Sequence, residues 1–424
     1  MRVVVYPHSL AIGGSQLNAV ELAAAVRDRG HEVLIYAVPG PLAERIERLG
    51  LELVPAIDPR HRPAPAVMRQ LTGLVRDRRI DLVHGWEWPP ALEGWYGPLL
   101  RRRVPVVCAI MSMGVAGFLP PSMPLLVGTM QLQESTRAGR PGPVGLLEPP
   151  VDTVANHPGV GSDGFRERFG IPPGRPLVVV VSRLVTDLKL EGLERAIGAA
   201  GLLATEAPLS LAIVGDGPAA ERLAARAAAV NEVAGAGTVV LTGPLMDPRP
   251  AYAAADVVLG MGGSILRGLA FAKPAVVLGE DGFSEVLQPD TSDQFLWHGF
   301  YGLGDGDLGP GRLAAQLRAL LADPARRDAL AAYSLSLVRE RFSLAGAAAR
   351  LEAFYEAALA APPGPARVLA DGIASGVGVV RYTLRRRRQR RRGAHATDDF
   401  NARPVITAPP PAAPSRSEKE QSRT

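Results

Sequence analysis

Two basic residues follow the first strand-like run in the second half of the chain. Arg183 comes after the β-branched segment PLVVVVS, and Lys189 lies six residues beyond it. The chain has 44 arginines but only three lysines, Lys189, Lys273 and Lys419, so a lysine at this place is not the default basic residue. A guanidinium and an ammonium group beside a cleft suit a diphosphate, because each donates charge-assisted hydrogen bonds to its oxygens. The alternative is a solvated pair of cations at the start of a helix.

Two glycine turns could bring backbone amides close to such a ligand. Gly13 and Gly14 lie between the first strand-like segment and the first helical one, and Gly262, Gly263 and Ser264 precede the helical segment ILRGLAFA. Glycine lets a backbone approach a ligand closely, and the N-terminus of the following helix offers free N–H groups and a positive dipole end. The second turn predicts a nest for an anion or a hydroxyl group. For the first, a tight turn with no binding role is the alternative.

Charged side chains follow the second glycine turn. Arg267 lies one helical turn beyond Ser264, and Glu280, Asp281 and Glu285 come after the strand-like segment PAVVL. Carboxylates at the end of a strand are possible acceptors for the hydroxyl groups of a ligand. Arg267, Glu280 and Glu285 are therefore counted among the candidate binding residues.

An aromatic and polar cluster follows the strand-like segment DLV in the first half of the chain. It comprises His84, Trp86, Glu87 and Trp88. Aromatic rings of this kind stack on sugars or prenyl chains while the polar groups fix hydroxyls, so Trp86 and Glu87 are predicted to face an acceptor. The alternative is an aromatic core at the edge of a domain. The seven histidines are scattered, and no Walker A lysine or GxSxG elbow is present, so no metal ion or other cofactor is predicted.

The elements that must position these residues alternate between strand-like and helix-like segments. The runs MRVVVYP, HEVLIYAV, LELVPAI and DLVHGW are separated by amphipathic stretches, and the second half repeats this alternation from PLVVVVS onward. Alternation over short connections predicts βαβ units and a parallel sheet. The expected fold class is α/β, with two Rossmann-like domains that face each other across a cleft. Because ligands of open α/β sheets bind at the carboxyl ends of the strands, the site is expected in that cleft.

Changes in composition mark the expected domain boundaries. A connection rich in Gly, Pro and Asp over residues 153–175 separates an N-terminal domain, 1–152, from a C-terminal domain, 176–343. An amphipathic terminal helix is expected over 344–362. The remaining segment, 363–424, is expected to be a basic and largely disordered tail, in which residues 366–384 could form a weak helix.

One uncharged stretch, from Val104 to Gln133, resembles a membrane span. Prolines interrupt it, and its apolar part before Pro120 is shorter than the ~20 residues that a spanning helix needs. Two buried strands joined by a proline-rich loop are therefore expected. The single cysteine, Cys108, excludes a disulfide framework, and the N-terminus lacks the pattern of a secretory signal, so a cytoplasmic location is expected.

The net charge of +5 is unevenly distributed. Residues 381–424 hold 12 basic and 4 acidic residues, whereas residues 1–380 hold 35 basic and 38 acidic ones. The globular part is thus mildly acidic, which argues against a nucleic-acid footprint over a folded face. Seven arginines within Arg385–Arg392 follow a moderately apolar segment, and each basic residue near an anionic membrane adds about 1 kcal/mol. Peripheral attachment to the inner face of the membrane is the hypothesis; a merely solubilising tail is the alternative.

Seven short motifs, in this order along residues 1–360, resemble the GT-B glycosyltransferases, specifically the retaining, nucleotide-sugar-dependent group called family 4. They are the Gly13-Gly14 turn, VSRL with its downstream lysine, IVGDGP, TVVLTG, YAAADVVL, the glycine-rich turn with AFAKPAVV, and DGFSE. The resemblance implies transfer of a hexosyl unit from a nucleotide diphosphate sugar, with retention at the anomeric carbon. The acceptor is expected to be a metabolite or an envelope component, lipid-linked or not.

The resemblance also implies roles for the candidate residues. Arg183 and Lys189 would neutralise the diphosphate leaving group, and His84 would lie near the reacting sugar. Cleft closure would exclude water and favour transfer over hydrolysis. Trp86 and Glu87 would lie on the acceptor side, and the donor would be held by Gly13, Gly14, Gly243, Gly262, Gly263, Ser264, Arg267, Glu280 and Glu285.

Two positions depart from the family pattern. The family has two glutamates eight positions apart around the glycine-rich turn, and the segment AFAKP aligns them with Leu259 and Arg267. Lys189 also lies one residue further from its arginine than usual. Either Arg267 grips the donor differently, with Glu280 or Glu285 supplying carboxylates, or the chain is an inactive binder of sugars or nucleotides. A nucleotide-sugar epimerase of the same fold is a further alternative, against which the scattered histidines argue; an active but divergent transferase is favoured.

Overall fold

The computed structural model describes residues 1–391, which form two separate sheets with helices on both faces of each. Four buried apolar clusters fill the spaces between sheets and helices, two for each sheet. The predicted fold class, α/β with two Rossmann-like domains, is confirmed.

The N-terminal sheet consists of seven parallel strands. They are β1 (Arg2–Tyr6), β2 (Glu32–Ala37), β3 (Glu52–Pro55), β4 (Leu82–Trp86), β5 (Val106–Ile110), β6 (Leu125–Val127) and β7 (Val144–Leu146). Their spatial order is β3-β2-β1-β4-β5-β6-β7. The central strands are buried along almost their whole length, as expected for a parallel sheet covered on both faces.

Short helices connect these strands. They are α1 (Gly14–Asp28), α2 (Ala43–Arg48), α3 (Pro65–Asp77), α4 (Trp88–Gly94), α5 (Leu100–Arg102) and α6 (Met130–Arg137), with a π-helical segment, Trp95–Leu99, between α4 and α5. Local sequence explains several of their starts. Pro65 occupies the first turn of α3, where a missing N–H costs nothing, and the Thr129 hydroxyl accepts a hydrogen bond from the Leu132 N–H at 3.1 Å at the start of α6.

The C-terminal sheet consists of six strands. They are β8 (Leu177–Val181), β9 (Ser210–Val214), β10 (Val239–Gly243), β11 (Val257–Gly260), β12 (Ala275–Leu278) and β13 (Ser284–Val286). Their spatial order is β10-β9-β8-β11-β12-β13, and β13 is antiparallel to β12 while the other pairs are parallel.

Eight helices belong to this second half. They are α7 (Phe165–Arg168), α8 (Leu190–Leu203), α9 (Ala220–Ala234), α10 (Arg249–Ala254), α11 (Gly263–Ala270), α12 (Pro289–His298), α13 (Gly311–Ala322) and α14 (Pro324–Arg341). The Asp323 carboxylate caps α14 by accepting the Arg326 N–H at 2.9 Å.

In each sheet the chain adds strands toward one edge, then returns to the centre and adds strands toward the other edge. The return falls between β1 and β4 in the N-terminal sheet and between β8 and β11 in the C-terminal sheet. The loops after such a pair of strands diverge, which leaves a crevice at their carboxyl ends where ligands of open α/β sheets bind.

The uncharged stretch 104–133 contains β5 and β6, both wholly buried, with the proline-rich loop between them. The prediction of two core strands is confirmed. Within residues 1–391, no helix combines the length and the apolar character that crossing a membrane requires.

Two helices at the end of the described chain return to the N-terminal domain. Helix α15 (Leu344–Ala360) packs Leu351 and Tyr355 into the same buried cluster as α1. Helix α16 (Pro365–Arg391) is continuous, and its Val368 is buried in the cluster on the opposite face of the sheet. The expectation of a largely disordered segment from residue 363 is therefore wrong up to Arg391, because contacts with the N-terminal domain hold that segment as a helix. Residues 392–424 lie outside the described range.

Candidate active site

The carboxyl ends of the C-terminal strands bring several predicted residues to one edge. Arg183 follows β8, Gly243 ends β10, and the glycine turn follows β11, so Arg183 and this turn flank the switch point of the sheet. Glu280 follows β12, the next strand along the same edge. Parallel pairing makes this outcome obligatory, since all these strands end on the same side.

Lys189 lies beside two other charged groups at this edge. Burial, reinforced by repulsion from Arg183, lowers the pKa of Lys189 to about 7, and the opposing attraction comes from Glu280. Arg183 itself is exposed, and the Tyr301 hydroxyl donates a hydrogen bond to the Glu280 carboxylate. A partly neutral lysine beside an exposed guanidinium gains its proton when an anion arrives. The arrangement is therefore suited to binding a phosphate group.

The glycine turn before α11 keeps some of its polar groups for internal contacts. The Gly262 N–H donates to the Phe300 carbonyl at 2.9 Å, and the Ser264 hydroxyl donates to the Met261 carbonyl at 3.1 Å. The expectation that Gly262 presents its N–H to a donor is therefore wrong in this conformation. Gly263 and Ser264 lie in the first turn of α11, where backbone N–H groups have no intrahelical acceptor.

Gly243 and Glu285 lie apart from the Lys189 group. Gly243 has φ +74°, and its carbonyl accepts the Gly215 N–H at 3.0 Å, so it shapes the turn after β10. Glu285 lies on the antiparallel strand β13, where it attracts Arg312. Of the two glutamates predicted to supply carboxylates, Glu280 is the one that lies beside Lys189.

The N-terminal domain contributes a carboxylate at its own switch point. Glu87 follows β4, and its side chain accepts hydrogen bonds from the Met111 N–H at 2.9 Å, the Ser112 hydroxyl at 3.0 Å and the Ser15 hydroxyl at 3.4 Å. Burial raises the pKa of Glu87, although these donors oppose the shift. Glu87 is one of the residues that the sequence pattern predicts, whereas no motif marks Ser112.

Gly13 and Gly14 lie at the same crevice, at the start of α1. Gly13 is the N-cap residue in extended conformation, and a Cβ on it would lie 2.4 Å from the Gln16 Oε1 atom. A Cβ on Gly14 would meet nothing within 4 Å, so its surroundings are open. Only the end of the flexible Gln16 side chain would have to move, so packing alone does not demand glycine at position 13, and a ligand role for either glycine stays a prediction.

Three contacts between the two domains lie close to the two crevices and show that the crevices face each other. Arg267 of α11 lies 3.5 Å from the buried Glu21 of α1, which also accepts a hydrogen bond from Arg45 at 2.7 Å. Met113, in the loop after β5, packs against the buried cluster of the C-terminal domain. A Cβ on Gly263 would lie 3.8 Å from the Cβ of Pro149. Arg267, predicted to hold a donor, is therefore part of an ion pair between the domains.

The roles predicted for two residues of the aromatic cluster, His84 near the reacting sugar and Trp86 on the acceptor side, do not agree with their positions in the structure. His84 is completely buried, and its Nδ1 atom lies 2.6 Å from the Tyr355 hydroxyl of α15. Burial lowers the pKa of His84 to about 3, so the imidazole is neutral. Trp86 is 1% exposed and packs in the core beside the His84 ring. Neither side chain can reach a substrate here, because β4 directs both into the cluster beneath α1 and α15.

Trp88, by contrast, is partly exposed next to Glu87. Its ring makes edge contacts with Phe118 at 5.2 Å and with Tyr382 of α16 at 6.1 Å between ring centroids. Among residues 1–391, no group of three or more His, Cys, Asp or Glu side chains is arranged to hold a metal ion.

Comparison with known families gives one match for each domain. The sequence model of Glycosyltransferase Family 4 matches residues 12–121, and that of Glycosyl transferases group 1 matches residues 175–323. Two Rossmann-like domains with facing carboxyl edges define the GT-B class of glycosyltransferases. The chain belongs to this class, as a family 4-like glycosyltransferase.

Individual relatives are distant. A 2-deoxystreptamine N-acetyl-D-glucosaminyltransferase of Streptomyces fradiae is 28% identical over 344 residues, which cover 65% of this chain and 77% of that protein. A D-inositol 3-phosphate glycosyltransferase of Kineococcus radiotolerans is 26% identical over 378 residues, covering 76% and 85%. The structure of Anabaena HepE in complex with UDP superposes with a TM-score of 0.66 at 14% identity, covering 84% of this chain and all of that one, which shows a shared fold.

Proposed function

We propose that this glycosyltransferase moves a hexosyl unit from a nucleotide diphosphate sugar to a hydroxyl group of its acceptor. The observation that carries the proposal is the grouping of Arg183, Lys189 and Glu280 at the carboxyl edge of the C-terminal sheet, with Glu87 at the edge of the facing domain. The two cations suit the leaving diphosphate, and the Glu87 carboxylate suits an acceptor hydroxyl.

The donor proposal rests on charge. As the glycosidic bond breaks, the bonding electrons pass to the diphosphate, so cations near it stabilise the transition state more than the ground state. Arg183 carries a permanent charge and is exposed, so it can reach an incoming ligand. Lys189, with its pKa lowered to about 7, takes up a proton when the diphosphate binds. HepE, with the same fold, has been crystallised with both UDP and UDP-glucose, which supports a nucleoside diphosphate as the ligand class.

The carboxylate of Glu280 takes the sugar-binding role of the two family glutamates that are replaced by Leu259 and Arg267. Leu259 is buried and apolar and cannot bind a hydroxyl group, and Arg267 pairs with Glu21. Glu280 has the position for that role, because its carboxylate lies near Lys189 and is oriented by the Tyr301 hydroxyl. Its unoccupied lone pairs can accept hydrogen bonds from sugar hydroxyls.

On the acceptor side, Glu87 is the residue suited to a hydroxyl group. Three donors orient its carboxylate, and its raised pKa favours acceptance of a proton from the acceptor. The two named relatives act on 2-deoxystreptamine and D-inositol 3-phosphate, so a polyhydroxylated metabolite is one acceptor class to test, and an envelope component is the other. Retention at the anomeric carbon and a cytoplasmic location remain predictions.

A ligand screen followed by product analysis tests the proposal. The purified chain is heated with UDP, GDP, ADP or dTDP and with their hexose derivatives, and the best ligand is then incubated with candidate acceptors. Stabilisation by one nucleotide and its sugar, together with a glycosylated product, supports the proposal. Binding without turnover with any acceptor indicates an inactive binder, and release of an isomerised sugar indicates an epimerase.

Two single variants test the assignment of the diphosphate site. Arg183→Ala and Lys189→Ala should each weaken nucleotide binding by about 10-fold to 100-fold, because a hydrogen bond to a charged group contributes about 1.5–3 kcal/mol. Arg318→Ala is the matched control, because Arg318 is half exposed and pairs with Glu206 on the surface. Wild-type affinity in both site variants would contradict the assignment.

A further inference from the structure

Helix α16 is fixed to the N-terminal domain by one of its faces. Val368, Asp371 and Ser375 are buried there, and the Asp371 carboxylate accepts the Ser122 N–H at 2.9 Å. Two turns further on, Tyr382 contacts the Trp88 ring. These contacts fix the rotation of the helix about its axis, so they also decide which side chains point away from the protein.

The opposite face of α16 carries a row of large apolar side chains. Each is between 47% and 63% exposed, and together they form what we call the apolar stripe: Leu369, Ile373, Val377, Val380 and Leu384. Successive members are spaced by four, four, three and four residues. At about 100° per residue they span an arc of about 80° and a length of about 22 Å, opposite the buried face. A continuous apolar row of this kind on a folded surface marks an interaction site.

Positive charge borders one flank of the apolar stripe and extends it. No acidic residue occurs between Asp371 and Arg391, whereas arginines occupy 381, 385–388 and 390–392. By the same helical spacing, Arg387 and Arg391 continue the line of the stripe, and Arg381 and Arg388 lie on one flank of it. The helix therefore presents an apolar strip with a cationic border and end.

We propose that α16 lies on an anionic lipid bilayer, with the apolar stripe inserted at the boundary between headgroups and acyl chains. Helices with an apolar face bordered by arginine bind membranes in this way, through buried apolar area and attraction to anionic lipids. Charge complementarity favours this occupant over a second copy of the chain, because an anionic surface attracts all the arginines at once, whereas two stripes packed in parallel would bring two arginine-rich segments into proximity.

This orientation deepens the proposed function and rests on it. Through Tyr382 and Trp88, α16 lies next to Glu87, the residue proposed to receive the acceptor. A groove of about 500 Å³ between α16 and residues 117–121 is lined by Arg381, Tyr382 and Arg385. Binding to the bilayer would thus bring the acceptor side of the cleft to the membrane surface, where an amphiphilic acceptor with an anionic headgroup resides.

Vesicle flotation with the full-length chain tests the inference. Vesicles of phosphatidylcholine alone are compared with vesicles containing one quarter phosphatidylglycerol, at low and high salt. The stripe variant is Ile373→Glu with Val380→Glu, and the matched control is Leu202→Glu with Val233→Glu, which changes two exposed aliphatic residues on α8 and α9. A charge variant, Arg387→Gln with Arg388→Gln, removes two of the bordering cations.

Wild type and the matched control should float with the anionic vesicles, and salt should weaken their binding. The stripe variant should bind about 100-fold more weakly, because two aliphatic side chains no longer enter the apolar layer. The charge variant should bind about 30-fold more weakly, from about 1 kcal/mol for each arginine. All variants should keep the wild-type melting temperature and nucleotide affinity, so the membrane result is separate from the test of donor binding.

Three results would overturn the inference. The first is wild-type protein that floats with neither kind of vesicle. The second is a stripe variant that binds anionic vesicles as well as the control does, which would assign all binding to the arginines. The third is a wild-type dimer in light scattering that the stripe variant abolishes, without any vesicle binding, which would make a second copy the occupant.

Discussion

The protonation of Lys189 makes the affinity for a nucleoside diphosphate depend on pH in a defined direction. In the free protein, burial and Arg183 lower the pKa of Lys189 from 10.5 to about 7. A bound diphosphate places negative charge beside the ammonium group and returns its pKa toward the ordinary value. Above pH 7, binding therefore takes up a proton, and a rise in pH opposes it.

The size of this effect follows from the shift. If the pKa in the complex returns to the ordinary 10.5, affinity should fall about 50-fold between pH 7 and pH 9, and about 0.9 proton should be taken up per nucleotide bound at pH 8. Lys189→Arg keeps its charge throughout this range, so its affinity should change little with pH. Lys189→Met lacks the charge and should bind weakly at every pH.

Titration calorimetry measures both quantities. Proton uptake is obtained at pH 8 from the difference in binding enthalpy between two buffers of different ionisation enthalpy, with the nucleoside diphosphate identified by the ligand screen. The Lys189→Arg variant is the control for titration of the nucleotide itself. If wild type and Lys189→Arg show the same pH profile, Lys189 does not contact the diphosphate and the reasoning fails.

Three further outcomes are expected. Glu87→Gln should lower kcat by about 100-fold or more while nucleotide affinity stays within twofold, because it removes proton acceptance without altering the donor side; loss of nucleotide affinity would contradict this. Arg267→Glu should destabilise the protein by placing two carboxylates together, and adding Glu21→Gln should relieve that repulsion while keeping an acceptor for Arg45, so the double variant should lose less stability than the sum of the single variants; additive losses in this double-mutant cycle would refute the ion pair between domains. Tyr355→Phe should lower the free energy of unfolding by about 1–3 kcal/mol, because His84 loses its buried hydrogen-bond partner. The kcat per folded molecule should not change. A selective loss of kcat would give His84 a catalytic role after all.

The position of Arg267 shows how a departure from a family pattern can be absorbed by the fold. The family glutamate at this place is replaced by a cation, and a buried glutamate of α1 faces it from the other domain. Sequence alone placed Arg267 one turn into its helix, near a donor. It could not reveal the partner, because Glu21 lies in the other half of the chain and no local pattern connects the two residues.

The sequence by itself determined the fold class and most of the residues that lie at the carboxyl ends of the strands. Alternating strands and helices require parallel pairing, and parallel strands end on one side, so Arg183, Glu87 and the glycine turns had to lie at carboxyl edges. The sequence also excluded a membrane helix in the uncharged stretch 104–133, because prolines divide it into segments that are too short to span a bilayer.

Only the tertiary structure decided which side chains face the cleft and which face the core. All five residues of β4 are buried, so no alternation in the sequence reveals that His84 and Trp86 point toward α15. Glu280 lies beside Lys189 whereas Glu285 does not, because Glu285 is on β13, which runs antiparallel to β12. Helix α16 is longer and better ordered than the weak helix expected over 366–384, because its order depends on distant contacts such as Asp371 with Ser122 that the sequence cannot reveal.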